Sequence, residues 1–66
     1  MKVTVNGFIE EVEPSFRIAD LIEAFDEHDA ALIIEVNGRF VHPARYNERV
    51  VQAGDRIEFI HPAFGG

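Results

Sequence analysis

The sequence predicts an α+β fold, a mixed sheet of four to five strands with one helix packed on one face. Three observations lead there. Asn6-Gly7 and Asn37-Gly38 each lie between short apolar runs, the strongest local signal of a β-hairpin. A single segment, with Ile18, Leu21, Ile22 and Phe25 at i, i+3, i+4 and i+7, carries a helical apolar stripe. A final apolar run, Arg56 to Ile60, follows Gly54-Asp55. One stripe on one helix can cover only one face of a sheet, which is the arrangement of an α+β domain.

The elements follow in order. Val3 and Val5 alternate with Lys2 and Thr4, the period of a half-buried strand. After the Asn6-Gly7 turn, Phe8 to Val12 runs back as a second strand, and Glu13-Pro14-Ser15 breaks it. Adjacent Phe8 and Ile9 place one of the two outward. The helix starts near Ile18, with Ser15 or Arg17 at its cap, and is expected to run out at Glu27-His28-Asp29. Acids at that end oppose the helix dipole. Ala31 to Val36 reads as a strand, Arg39 to Val41 as its short return, and His42-Pro43 as its stop. Ala44 to Gln52 reads as irregular, anchored by Tyr46 and by Val50 or Val51. The expected core joins Val3, Val5, Val12, Ile34, Val36, Ile57 and Phe59 to the helix stripe. Phe8 or Ile9, Ile33, Phe40 and Ile60 are left for the other sheet face. A contiguous apolar group there marks a partner surface, for which Phe8, Phe40 and Ile60 are the candidates.

Size and charge narrow the function. The chain has 66 residues and no Cys, which excludes disulfides, thiolate zinc sites and iron–sulfur clusters. Its hydrophobic fraction of 47% supports a folded core. Twelve Asp and Glu against six Lys and Arg give a net charge of −6, which argues against nucleic-acid binding. Nothing resembles a membrane span or a signal peptide, so a cytoplasmic location is expected. His28, His42 and His61 follow no metal-ligand spacing, and no metal site is expected. The one serine supports no catalytic triad, and no catalytic residue is assigned.

The remaining feature is Gly65-Gly66, which presents a slim carboxylate directly after an apolar strand. We expect a domain over 1–60 and a flexible tail over 61–66. Fully extended, that tail reaches about 20 Å, enough to enter a partner's buried site. Pro62 stiffens it and reduces the entropy lost on docking in an extended form.

The strand and helix order, the Val36-Asn37 strand end, Gly54-Asp55 and Gly65-Gly66 together resemble the β-grasp (ubiquitin-like) sulfur-carrier family over the whole chain. The thiamin-biosynthesis (ThiS-like) carriers are the most similar branch. The resemblance implies that the protein is acted on rather than catalytic. An E1-like adenylating enzyme, using ATP and Mg²⁺, would activate the Gly66 carboxylate. A cysteine-desulfurase-derived sulfur donor would convert it to a thiocarboxylate, and a thiazole synthase would take the sulfur. Gly65, Phe64, Ala63 and Pro62 would then occupy partner active sites, with a bulky Phe64 where family tails are small or aliphatic. No bound cofactor and a monomeric free state are implied. Other readings remain: the small subunit of molybdopterin synthase or another sulfur-pathway carrier, and a ubiquitin-like modifier or binding module. An acyl carrier fits poorly, since it requires a helical bundle and a serine opening a helix.

Overall fold

Both Asn-Gly pairs take positive φ at their two central residues, with Asn6 at 51°, Gly7 at 85°, Asn37 at 54° and Gly38 at 81°. That is the type I′ signature, whose twist matches that of paired strands. The computed structural model describes residues 1–62. Its elements are β1 (Lys2–Val5), β2 (Phe8–Glu11), α1 (Ile18–Ala24), β3 (Ile33–Val36), β4 (Arg39–Val41), a 3₁₀ turn (Pro43–Arg45) and β5 (Arg56–Ile60). The sheet order is β2-β1-β5-β3-β4. β1 and β5 are parallel; the other neighbours are antiparallel. This five-stranded mixed sheet with one helix on one face is the expected α+β arrangement. Among the described residues no helix is long and apolar enough to cross a membrane.

The core lies between α1 and the sheet. Ile18 and Leu21 from the helix meet Val3, Val5, Ile34, Val36, Ile57 and Phe59, all buried. Phe25 meets Phe59 edge-on at 5.8 Å. Val12, Ile22 and Phe25 are only partly buried at the margin of this core. Val41 and Val51 are buried as well. Of the two anchors offered for the crossover, Val51 is the buried one and Val50 faces solvent. The segment read as irregular holds the 3₁₀ turn, with His42 Nδ1 accepting from the Ala44 N–H at 3.1 Å.

Of the two caps offered for the helix start, Arg17 is the one realised, and the helix end departs from expectation. Ser15 is not the cap. The Phe16 N–H donates to the Glu13 carbonyl, and Ser15 has φ 74°, so Pro14-Ser15 forms the centre of a turn that favours glycine at its third position. Arg17 is the N-cap residue, and its N–H donates to the Asp20 carboxylate at 2.7 Å. The Ile18 and Ala19 N–H groups donate to the Arg49 and Tyr46 carbonyls, so the crossover satisfies the helix start. At the other end α1 stops at Ala24, earlier than Glu27. Asp26 takes φ 55°, its N–H reaches the Glu23 carbonyl, and the Glu27 N–H reaches Ile22. That pattern is a Schellman cap with aspartate where glycine is usual.

The turn assignment of Ser15 has a measurable sign. Ser15→Gly relieves a left-handed serine and should stabilise the domain by about 0.5 kcal/mol, raising Tm by ~2–4 °C. If Ser15 capped the helix, the same change would cost a few tenths of a kcal/mol instead. Thermal unfolding followed by circular dichroism separates the two.

Candidate functional site

The strand that leads to the tail is the most tightly held in the sheet. β5 lies in the centre, between β1 and β3. Both turn asparagines also reach it. Asn6 accepts from the Phe59 N–H through Oδ1 at 2.8 Å, and its own N–H donates to the Ile57 carbonyl at 2.9 Å. Asn37 accepts from the Arg56 N–H through Oδ1 at 2.9 Å, and its N–H donates to the Arg56 carbonyl at 2.8 Å. Each Asn-Gly pair therefore closes a hairpin and clamps the last strand.

Asp55 completes the clamp. It is the one buried charged residue among those described. Its Oδ1 accepts from Asn37 Nδ2 at 3.0 Å and its Oδ2 from the Gln52 N–H at 2.8 Å. Arg49 Nη2 stands 3.8 Å from Oδ2. Gly54, at φ 85°, turns the chain so that Asp55 faces inward and the Gly54 N–H meets the Lys2 carbonyl. A buried carboxylate is tolerated because its oxygens receive donors. Asn37 and Gly54-Asp55, separate motifs in the sequence, are thus one hydrogen-bonded unit at the start of β5.

At the other end of β5, His61 bridges to the loop after α1. Its Nε2 lies 3.1 Å from Glu27 Oε2 and its Nδ1 lies 3.3 Å from Asp29 Oδ2. Both ring nitrogens can donate only when the imidazole is protonated. The hydrogen-bonded Asp29 carboxylate, helped by Glu27, raises the His61 pKa above its ordinary 6.5, against an opposing desolvation. The Ala31 N–H, then His61, lowers Asp29 below its ordinary 3.8. The His61 contribution is full below pH 6.5 and fades as pH rises through its raised folded value. The Asp29 contribution is full above pH 3.8 and fades as pH falls through its lowered folded value. The His61–Asp29 pair is therefore complete between pH 3.8 and 6.5. His61→Gln should lower Tm in that window and converge with the unsubstituted chain at higher pH. A Tm difference independent of pH would exclude the bridge.

The other histidines serve elsewhere. His28 Nε2 contacts Asp26 at 2.6 Å on the surface, and His42 caps the 3₁₀ turn. Among the described residues no group of three His, Cys, Asp or Glu could hold a metal ion.

The expected partner surface divides. Register pairs Ile33 with Ile60 and Glu35 with Phe40, which puts Ile33, Ile60 and Phe40 together on the open face beside the exit of β5. Phe8 pairs with Val5, whose side chain is buried on the helix side. Ile9, paired with Thr4, takes the open face instead. Phe8 on β2 and Phe40 on β4 occupy opposite sheet edges, about 19 Å apart at the usual strand spacing. Phe8 thus forms no patch with Phe40 and Ile60. It stays exposed because a seven-residue helix, about 10 Å long, cannot cover the sheet to its edge.

Pro62, the last described residue, is half-buried. Ala63, Phe64, Gly65 and Gly66 lie outside the described residues. The sequence reading had found the strand that carries the tail, but not its clamps. Their one local signal is that asparagine, with a side chain able both to donate and to accept, opens each hairpin turn.

A family model described as the ThiS family matches residues 3–66. A crystal structure of a thiamine biosynthesis protein (ThiS) from Geobacter metallireducens is 29% identical, with a TM-score of 0.88 over 100% of both chains. An NMR solution structure of a thiamine biosynthesis protein from Geobacter metallireducens is also 29% identical, with a TM-score of 0.80 over 100% of this chain and 88% of that one. No curated protein matches.

Proposed function

The chain belongs to the ThiS family, and on that premise we propose that it is a sulfur carrier whose reacting group is the Gly66 carboxylate. The observation that carries this reading is the family match itself, which extends through the tail to residue 66. The β-grasp fold supports it, because β5 gives the tail a fixed base on a small domain.

The chemistry follows from the carboxylate. It is ionised at neutral pH and a poor electrophile. An E1-like partner joins it to AMP from ATP and releases pyrophosphate, with Mg²⁺ neutralising phosphate charge. A persulfide sulfur derived from cysteine attacks the acyl carbon, and AMP leaves. A thiol then cleaves the S–S bond and frees the thiocarboxylate. A thiazole synthase receives that sulfur for thiamin biosynthesis. The chain is a cosubstrate in these steps, and ATP and Mg²⁺ belong to the partner. Gly65, Phe64, Ala63 and Pro62 line the route into the partner, and the open face around Ile60 and Phe40 lies beside it.

Incubation with an adenylating enzyme, ATP and a sulfur donor, followed by intact mass measurement, tests the reading. The expected product carries one oxygen-to-sulfur exchange at Gly66. Neither an adenylate nor a sulfur-bearing species under turnover conditions would remove the proposal.

A further inference from the structure

Half of the permanent cations of this acidic chain lie in one place. Arg39 of β4 and Arg45 and Arg49 of the crossover line a cleft of about 660 Å³, and the chain holds only six Lys and Arg in all. Val41 contributes apolar surface to the cleft, and Phe40, 58% exposed, belongs to its lining. We propose that this cleft docks a short acidic segment of a partner protein, its carboxylates on the arginines and an apolar side chain against the exposed Phe40.

The three arginines are prepared to different degrees. Arg39 is exposed and makes no hydrogen bond or ion pair among the described residues. Arg45 pairs with Glu48 at 3.2 Å, but both side chains are largely exposed. Such a pair is weak, so an incoming carboxylate can replace Glu48 at little cost. Arg49 donates to the Val50 carbonyl and stands beside Asp55, which fixes it as a wall. Guanidinium groups match carboxylates through paired hydrogen bonds, and an ordered arginine loses less entropy on binding.

The charge pattern selects a short segment. Electrostatic reach is about 8 Å at physiological salt, so a few carboxylates in the cleft meet its three arginines against one acid of the lining, Glu48. A long polyanion such as a nucleic acid would also meet the excess acids elsewhere on a chain of net charge −6. The cleft opens at the sheet edge formed by β4. β4 is two strands from β5, about 10 Å away, on the side where Ile33 pairs with Ile60. Register sets Arg39 beside Val36 and Val36 beside Ile57, and Arg49 stands beside Asp55, so the arginines lie near the start of β5.

The test is an amide NMR titration of the intact chain with a ten-residue peptide alternating Glu with Leu and Phe. The same peptide with Gln for Glu is the control. The expected result is saturable binding, with shifts centred on β4 and residues 43–49, weakened by added salt. The Gln peptide and the double variant Arg39→Glu/Arg45→Glu should each bind at least about tenfold more weakly. The double variant should keep the parent Tm, since both side chains are exposed. Should that variant fail to fold, Arg39→Gln alone, with no partner to lose, carries the comparison. Absence of saturable binding, equal binding of both peptides, or shifts centred elsewhere would overturn the proposal. So would tighter binding of a single-stranded oligonucleotide at the same residues, or self-association in sedimentation that Arg39→Glu abolishes. The titration involves neither ATP nor an adenylating enzyme, so its outcome is independent of the Gly66 chemistry.

Discussion

A chain ending at Gly65 should fold as stably as the full chain and fail to acquire sulfur. The described clamps on β5 all lie at or before His61, so losing the last glycine removes none of them. Reach is what changes. One residue spans about 3.3–3.6 Å, and the acyl carbon would fall short of the nucleotide by that distance. A misplacement of 1 Å can cost about 10²-fold where reacting atoms must approach within ~3–3.5 Å. Single-turnover charging of the truncated chain should therefore fall by more than about 100-fold, with Tm unchanged. The two readouts separate a reagent from a structural terminus. A truncated chain that charges at close to the full rate would refute Gly66 as the reacting residue. A chain that loses Tm together with charging would make the glycine structural.

The largest effect on stability is expected at Asp55. Asp55→Ala leaves the Gln52 N–H and Asn37 Nδ2 without their acceptor in a buried place and takes the partner from Arg49. Hydrogen bonds to a charged group are worth about 1.5–3 kcal/mol each, so a loss of about 3 kcal/mol is expected. A domain of this size has only ~3–10 kcal/mol in total. The corresponding fall in Tm is about 12–24 °C. Asp55→Asn should lie between, because an amide oxygen can still accept while its nitrogen faces a donor. Urea titrations of the three chains, at fixed pH, give the order. If Asp55→Ala lost less than about 1 kcal/mol, the buried unit would not be what holds β5.

The parts legible in the sequence were those with a short period. Alternation at Val3 and Val5, the stripe from Ile18 to Phe25 and both Asn-Gly turns gave the strands, the helix and most of the core. What escaped had no period. The helix ends at Ala24 because Asp26 adopts a left-handed cap, a conformation that aspartate tolerates without announcing it. Phe8 and Ile9 could be told apart only by register against Val5 and Thr4. Asp55 meets Asn37 across 18 residues, and His61 meets Asp29 across 32. Contacts at such separations depend on topology, and a linear reading sees only the polar residue. The chemistry proposed for Gly66 rests on the terminal glycines and on the family match. The clamps on β5 were not legible in the sequence.

The place of β5 in the sheet also sets an order of events. The last strand in chain order among the described residues is inserted between β1 and β3, and residue 4 cannot meet residue 56 until β5 has been made. Without β5 the two hairpins have no strand joining them, and α1 lacks Ile57 and Phe59 to pack against. Folding must therefore wait for β5, and loop closure over some fifty residues makes that step slower than local hairpin formation. A chain lacking β5 has two separate hairpins and no sheet that joins them. The step that joins the two hairpins into one sheet is the same one that seats the strand leading to His61 and Pro62, so the base of that segment forms only when the domain does.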